Sequence, residues 1–261
     1  MDPATSKAYG PTFPTLTLRD SVRAHKALLD SLGVKRLQAV GGWSMGALQA
    51  YEWAASYPDT VARVIAFGGS ARSTGSTIGW MNSWVQALML DPKWNGGAYA
   101  AGQEPAAGLS AALQGQLMAV AHHAWIDAAF GRQWADKAKD PRADPASRYL
   151  WETQQAGIGG YFAGIVDANS YVLAIRAIQN FTVGGADTLE AGLAKVRAPT
   201  LVIGVPTDVL VAESALKRDV DVLQRAGVRA RYVALEGAMG HLEGRYGIAR
   251  VADAIRTFLG E

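Results

Sequence analysis

A serine flanked by glycines at two-residue spacing is the first feature of this sequence that could do chemistry. Gly42-Trp43-Ser44-Met45-Gly46 matches the pattern Gly-x-Ser-x-Gly. An apolar run, residues 37–40, comes just before it, and a helical pattern begins just after it. A serine in a sharp strand-to-helix turn needs small residues two positions away on either side, because the helix crosses the strand closely there. The pattern predicts Ser44 as a nucleophile; the alternative is an ordinary glycine-rich turn.

A nucleophilic serine needs a base, and the chain has four histidines. His241 lies in a loop after the last predicted strand, at the sheet end where catalytic groups of open α/β folds gather. His25 falls within a helix before the serine, and His122 and His123 fall in a tryptophan-rich segment. We therefore predict His241 as the base; the alternative is a loop histidine that caps the final helix.

An acid is needed to orient that base, and it should follow the penultimate strand. Asp208 comes directly after the apolar run 200–205, whereas Glu213, Asp219 and Asp221 come later, on or near the next helix. Aspartate is also common in plain turns, which is the alternative for Asp208. Together with Ser44 and His241, Asp208 would complete a Ser-His-Asp arrangement for acyl transfer.

The nucleophile also needs a donor for the oxyanion that forms during acyl transfer. The backbone N–H of Met45, at the start of the helix after Ser44, is predicted to be one donor, since helix N-termini favour negative charge. The source of a second donor is left open.

Strands alternating with helices must position these residues. The apolar patterns predict strands at 36–40, 61–67, 200–205 and 230–235, and helices at 20–32, 45–57, 215–226 and near the C-terminus. This order predicts an α/β fold with a mostly parallel sheet and helices on both faces. We divide the chain into residues 1–75, the first part of the core; 76–190, a helical cap insertion; and 191–261, the second part of the core.

Composition excludes several classes of site. The chain has no cysteine, so disulfides, thiolate metal sites and a cysteine nucleophile are excluded. The net charge is only +2 and the basic residues are scattered, so we expect no nucleic-acid or membrane partner. No motif predicts a metal or a bound cofactor. No apolar stretch approaches the ~20 residues that span a bilayer, and we expect a cytoplasmic location.

Several further segments beyond the serine motif have a distinctive sequence. They are Gly10-Pro-Thr-Phe-Pro14, Arg19-Asp-Ser-Val-Arg-Ala24, Ala54-Ala-Ser-Tyr-Pro-Asp59, Ser70-Ala-Arg72, Asp91-Pro-Lys-Trp-Asn-Gly-Gly97 and Asp167-Ala-Asn-Ser-Tyr171. Together with the serine motif, these segments resemble the homoserine O-acetyltransferase family of α/β-hydrolases. The resemblance covers nearly the whole chain. It implies an α/β-hydrolase fold, a triad at Ser44, Asp208 and His241, and a small-molecule ester or thioester substrate, with an acyl-CoA as a possible donor.

The sequence also departs from the pattern of that family. Trp43 precedes the serine where the family has glycine, Ala47 replaces a later glycine, and Leu242 follows the histidine where the family has aspartate. The family's substrate-binding arginine has no counterpart before Asp167. We therefore predict that homoserine is a poor acceptor. Trp43 and Arg72 are our candidates for substrate binding; the alternative for Arg72 is a surface ion pair.

The predicted sheet has fewer strands than the related fold, and the missing ones belong to its N-terminal half. Strand 36–40 would then lie at an edge, and its Leu-Gln-Ala-Val stretch, residues 37–40, has no charge or proline to protect that edge. We expect weak activity from the chain alone and possible homo-oligomers through this edge. The alternative to an enzyme is a catalytically incomplete fragment or a non-catalytic scaffold of the same fold.

Overall fold

A four-stranded parallel sheet carries the predicted functional loops. The structure, a computed structural model, describes residues 2–261. Within these residues the sheet order is β1-β2-β3-β4, with every neighbouring pair parallel. The strands are β1 (Val40–Trp43), β2 (Val64–Phe67), β3 (Thr200–Gly204) and β4 (Ala230–Ala234). The α/β class, the four strands and their parallel direction are confirmed.

The first strand lies later in the chain than predicted. The predicted range 36–40 shares only Val40 with β1, and Leu37 forms just an isolated parallel bridge to Val61. Gly41 and Gly42 have weak strand propensity, so the apolar pattern ends at Val40 although the strand continues beyond it. Parallel pairing with β2 extends the strand through both glycines, with Gly42 opposite Ala66 and Trp43 opposite Phe67. The strand therefore runs directly into Ser44.

The helices of the two units are numbered here in chain order. They are α1 (Leu18–Ser31), α2 (Met45–Ser56), α3 (Gly75–Met89), α4 (Ala106–Val120), α5 (His123–Ala129), α6 (Leu150–Ala163), α7 (Ala168–Gln179), α8 (Leu189–Leu193), α9 (Glu213–Arg225), α10 (Glu243–Tyr246) and α11 (Ala252–Gly260). Short 3₁₀ helices include Gly240–Leu242 and Ile248–Val251. The helices predicted at 20–32, 45–57 and 215–226 match α1, α2 and α9 to within two residues at each end.

The chain forms two compact units. One comprises Leu16–Ile78 and Ala177–Glu261 and contains the whole sheet. Its core is built around α2, in which eight of the twelve residues are buried, including Leu48, Tyr51 and Trp53. The predicted three-part domain division stays a prediction.

The other unit, residues 2–15 with Gly79–Arg176, is helical. Its helices α4 and α6 pack closely, and a Cβ at Gly159 would lie 2.8 Å from the carbonyl oxygen of Ser110. Rings of Trp125, Phe130 and Trp151 contact one another. These tryptophans pack against other aromatic rings, as expected for residues whose large area stabilises a core.

No single helix among residues 2–261 is long and apolar enough to cross a membrane; α6 and α7, bent by 101° at their junction, pass that test only as a pair.

Candidate active site

Ser44 occupies a strained turn between β1 and α2. Its backbone has φ 56° and ψ −121°, a conformation that non-glycine residues rarely adopt. A Cβ on Gly42 would lie 2.7 Å from the Cα of Gly46, and one on Gly69 would lie 2.7 Å from the carbonyl oxygen of Ser44. Glycines at 42 and 69 therefore allow the strand, the helix and the segment after β2 to converge on the serine. The turn has the strand-to-helix form that the sequence predicted.

The backbone next to Ser44 is held in place by hydrogen bonds on both sides. Its N–H donates to the carbonyl oxygen of Phe67 at 2.8 Å, which continues the β1–β2 ladder. Its carbonyl oxygen accepts from the N–H of Ala47 at 2.9 Å, which starts α2. Met45 is the first residue of α2, so its N–H belongs to the set that has no acceptor within the helix.

Asp208 and His241 form a buried pair. The Nδ1 of His241 lies 2.6 Å from Oδ2 of Asp208, and both side chains are at most 3% exposed. The other carboxylate oxygen of Asp208 accepts from the N–H groups of Leu210, at 2.9 Å, and Val211, at 3.0 Å. Hydrogen bonds to both oxygens satisfy the buried carboxylate and fix its orientation.

The second ring nitrogen of His241 is free. Nε2 is buried and has no hydrogen-bond partner among residues 2–261. The carboxylate of Asp208 can only accept a hydrogen bond, so Nδ1 carries the proton that it donates. The neutral ring then has its unshared electron pair at Nε2. A buried acceptor of this kind is available to a proton donor that comes within reach.

The loops that carry Asp208 and His241 are tied together by further contacts. The hydroxyl of Thr207 donates to the carbonyl oxygen of Gly237 at 2.7 Å. Glu243, buried just after the histidine, accepts from the N–H of Met239 at 3.1 Å and pairs with Arg250. These bonds hold the histidine loop from both of its ends. The pattern of the sequence gave no reason to single out Glu243.

Trp43 packs against the histidine. The two ring centroids are 5.2 Å apart, with an interplanar angle of 34°. A Cβ on Gly68 would lie 3.4 Å from the Trp43 indole and 3.5 Å from Cε1 of His241. A Cβ on Gly244 would overlap the indole. The indole therefore fills the space that two glycines leave beside His241, and the residue before Ser44 and the base lie within contact range.

The other histidines make no comparable pair. His25 is exposed on α1. His122 caps α5 by accepting from the N–H of Ala124, and His123 is exposed, 4.0 Å from Asp127. Among residues 2–261, the histidine with a buried hydrogen bond to a carboxylate is His241.

The structure also contains a buried acid that we did not single out. Asp219 on α9 is fully buried, and its Oδ2 accepts from the N–H of Ala71 at 2.7 Å. Burial raises its pKa from 3.8 to about 7. The signal that could have identified it is its position on the apolar stripe of α9, four residues after Ala215 and four before Leu223. Asp219 anchors the segment that follows β2.

Comparisons with known proteins place the chain in a family. The family described as alpha/beta hydrolase fold matches residues 2–218. A homoserine O-acetyltransferase of Symbiobacterium thermophilum is 34% identical over all of this chain and 68% of its own length. The chain belongs to the homoserine O-acetyltransferase family of α/β-hydrolases. It spans about half, 49%, of the length of two other curated relatives with that name, from Methanococcoides burtonii and Methanosphaerula palustris.

Two solved structures of similar proteins carry different activities in their names. Esterase E22 is 34% identical, with a TM-score of 0.92, over 99% of this chain and 70% of its own. The homoserine O-acetyltransferase of Bacillus anthracis is 27% identical, also with a TM-score of 0.92, over 99% of this chain and 69% of its own. Both an esterase and an acetyltransferase are enzymes, and the present chain is an α/β-hydrolase-fold enzyme.

Proposed function

We propose that this protein transfers acyl groups through a covalent intermediate on Ser44, with His241 as the base and Asp208 as the residue that orients it. The observation that carries the proposal is the buried Asp208–His241 hydrogen bond of 2.6 Å, which leaves Nε2 of the histidine without a partner. A strained, glycine-flanked serine precedes the helix α2 in the same unit. These are the parts that serine acyl transfer requires.

The reaction would proceed in two halves. The Oγ of Ser44 attacks the carbonyl carbon of an ester or thioester while its proton passes to Nε2 of His241. The oxyanion of the tetrahedral intermediate accepts from the N–H of Met45 at the start of α2. Collapse of the intermediate expels the alcohol or thiol, which takes the proton from His241. An acceptor hydroxyl or water then attacks the acyl-enzyme by the same route and regenerates the serine.

Asp208 contributes by fixing the tautomer of the base. Its carboxylate holds the proton on Nδ1 and stabilises the imidazolium that forms when Nε2 takes the serine proton. The N–H donors of Leu210 and Val211 hold this buried carboxylate in its orientation. A neutral amide at position 208 could accept only with its oxygen and would favour the wrong tautomer.

This chain differs from its family at residues expected to bind the acyl acceptor. Leu242 follows the catalytic histidine, and residues 154–159 before Asp167 contain no arginine. A buried amino-acid carboxylate needs a charged partner. We propose an acceptor other than homoserine, and the similarity to esterase E22 favours water as one candidate.

Turnover of a simple aryl ester by the purified chain tests the proposal. We expect hydrolysis by the native sequence and its loss in His241→Ala. His122→Ala is the matched control, because His122 caps α5 and its ring contacts that of His123. Circular dichroism establishes that each variant folds. Absence of turnover in the native chain would favour a non-catalytic scaffold, and full activity of His241→Ala would refute the assignment of the base.

A further inference from the structure

An open pocket of about 420 Å³ lies within the sheet-containing unit. We call it the Arg72 pocket; its wall includes Arg72, Thr74, Gly75, Ile78, Glu190 and Arg218. These residues come from the segment after β2, the first turn of α3, α8 and α9. None of them takes part in the triad proposed above.

Two arginines of the pocket wall have unused donors. Arg72 and Arg218 are exposed residues, and their guanidinium groups make no ion pair or side-chain hydrogen bond among residues 2–261. By contrast, Arg19 at another pocket of the same unit is paired with the buried Glu52. Glu190 contributes one negative charge, so the Arg72 pocket retains a net positive charge. A planar guanidinium presents a fork of donors that matches the oxygens of a phosphate.

The backbone that carries both arginines is fixed. Ala71, before Arg72, donates its N–H to the buried carboxyl of Asp219, which directly follows Arg218 on α9. Arg72 itself forms a backbone bridge to Thr182, and the N–H of Ser73 donates to the carbonyl oxygen of Phe181 at 3.0 Å. One buried acid therefore connects the two elements that present the guanidinium groups, so binding an anion would not require the backbone to become ordered.

The remaining wall fits the same class of ligand. Gly75 begins α3, a helix of 15 residues, and the hydroxyl of Thr74 accepts from the N–H of Thr77 at 3.2 Å. The start of a helix carries a partial positive charge that adds to that of the arginines. Ile78 and Leu189 give the pocket an apolar side.

We propose that the Arg72 pocket binds a phosphate or pyrophosphate group. Two kinds of ligand could supply this group: a free inorganic anion, or an acyl donor that carries phosphate. The second source rests on the proposed function. It is supported by position, since a Cβ on Gly69 would lie 2.7 Å from the carbonyl oxygen of Ser44 and Arg72 follows Gly69 by three residues, at most about 10–11 Å along the chain.

Calorimetric titration of the purified chain with pyrophosphate at low ionic strength tests the binding. We expect saturable binding that weakens at least tenfold in Arg72→Ala and in Arg218→Ala, because hydrogen bonds to charged groups of this kind are strong. Arg225→Ala is the matched control: it removes the same charge from an exposed position on α9 outside the pocket. Glu190→Gln should tighten binding.

The outcomes separate the sources and the two proposals. No binding of pyrophosphate by the native chain, or equal weakening in Arg72→Ala and Arg225→Ala, would overturn the proposal. Coenzyme A binding more tightly than pyrophosphate, with the difference lost in Arg72→Ala, assigns the pocket to an acyl donor; equal affinity assigns it to the free anion. The titrations are repeated on Ser44→Ala, so that binding is judged independently of whether Ser44 reacts.

Discussion

Asp219→Asn should remove a dependence of stability on pH that a single buried carboxyl imposes on this protein. Asp219 is fully buried, and its Oδ1 has no partner among residues 2–261. Burial raises its pKa to about 7, although the N–H of Ala71, the hydroxyl of Ser70 and the charge of Arg218 each act to lower it. The hydroxyl of Tyr51 is also buried without a partner, and its pKa is raised by burial and then by the charge of Asp219.

The sign of the effect follows from the raised pKa of Asp219. Between pH 3.8 and about 7 the folded state holds this proton and the unfolded state releases it, so stability falls as pH rises through that window. The full difference is roughly 4 kcal/mol, at 1.36 kcal/mol for each pH unit between the two pKa values. Between pH 5 and pH 8 the native protein should lose roughly 2–3 kcal/mol from this group alone. An asparagine cannot ionise and would not show that loss.

Urea unfolding at pH 5 and pH 8 measures this quantity. The free energy of unfolding of Asp219→Asn minus that of the native protein should increase by roughly 2–3 kcal/mol from pH 5 to pH 8. Asp221→Asn, an exposed change on the same helix, is the control and should leave the difference near zero. A difference for Asp219→Asn that does not change with pH would refute the reasoning, because it would mean that Asp219 is ionised at both pH values or protonated at both.

Three other predictions concern the site and the sheet edge. Asp208→Asn should lower kcat for an aryl ester roughly 10³–10⁴-fold, since the wrong tautomer of His241 results; a loss below tenfold would contradict the role of Asp208. Steady-state kinetics with acetyl-CoA and homoserine should show transfer no faster than hydrolysis, and efficient formation of O-acetylhomoserine would show that the acceptor proposal is wrong. Sedimentation velocity should show concentration-dependent association, because β1 lies at an edge of the sheet and its residue Gly41 is exposed there. A monomer at all concentrations would exclude association through that edge.

The parts of the fold that depend on local pattern were predictable from the sequence. Apolar runs bounded by proline or glycine located β2, β3 and β4, and helical spacing located α1, α2 and α9. The limits of β1 were not predictable in this way, because contacts with other elements, not the local pattern, place Gly41 and Gly42 in the strand. Gly42 must have no side chain where Gly46 passes, and the pairing partners of both glycines lie on β2.

The same distinction applies to the site. Motif, chain order and the position of loops after strands singled out Ser44, Asp208 and His241, and the structure brings the last two into a hydrogen bond. Glu243 and Asp219 support loops of the site through backbone N–H groups of Met239 and Ala71. Those partners are set by how the chain folds back on itself, and no spacing in the sequence encodes them.

Covalent labelling of Ser44 tests the central claim most directly. A fluorophosphonate reacts with a serine only when a base and an oxyanion site activate it, so the purified chain should be modified once, and peptide mass spectrometry should place the adduct on Ser44. Ser44→Ala should abolish labelling and His241→Ala should slow it strongly. An adduct on another serine, or labelling that persists in Ser44→Ala, would contradict the account of this site.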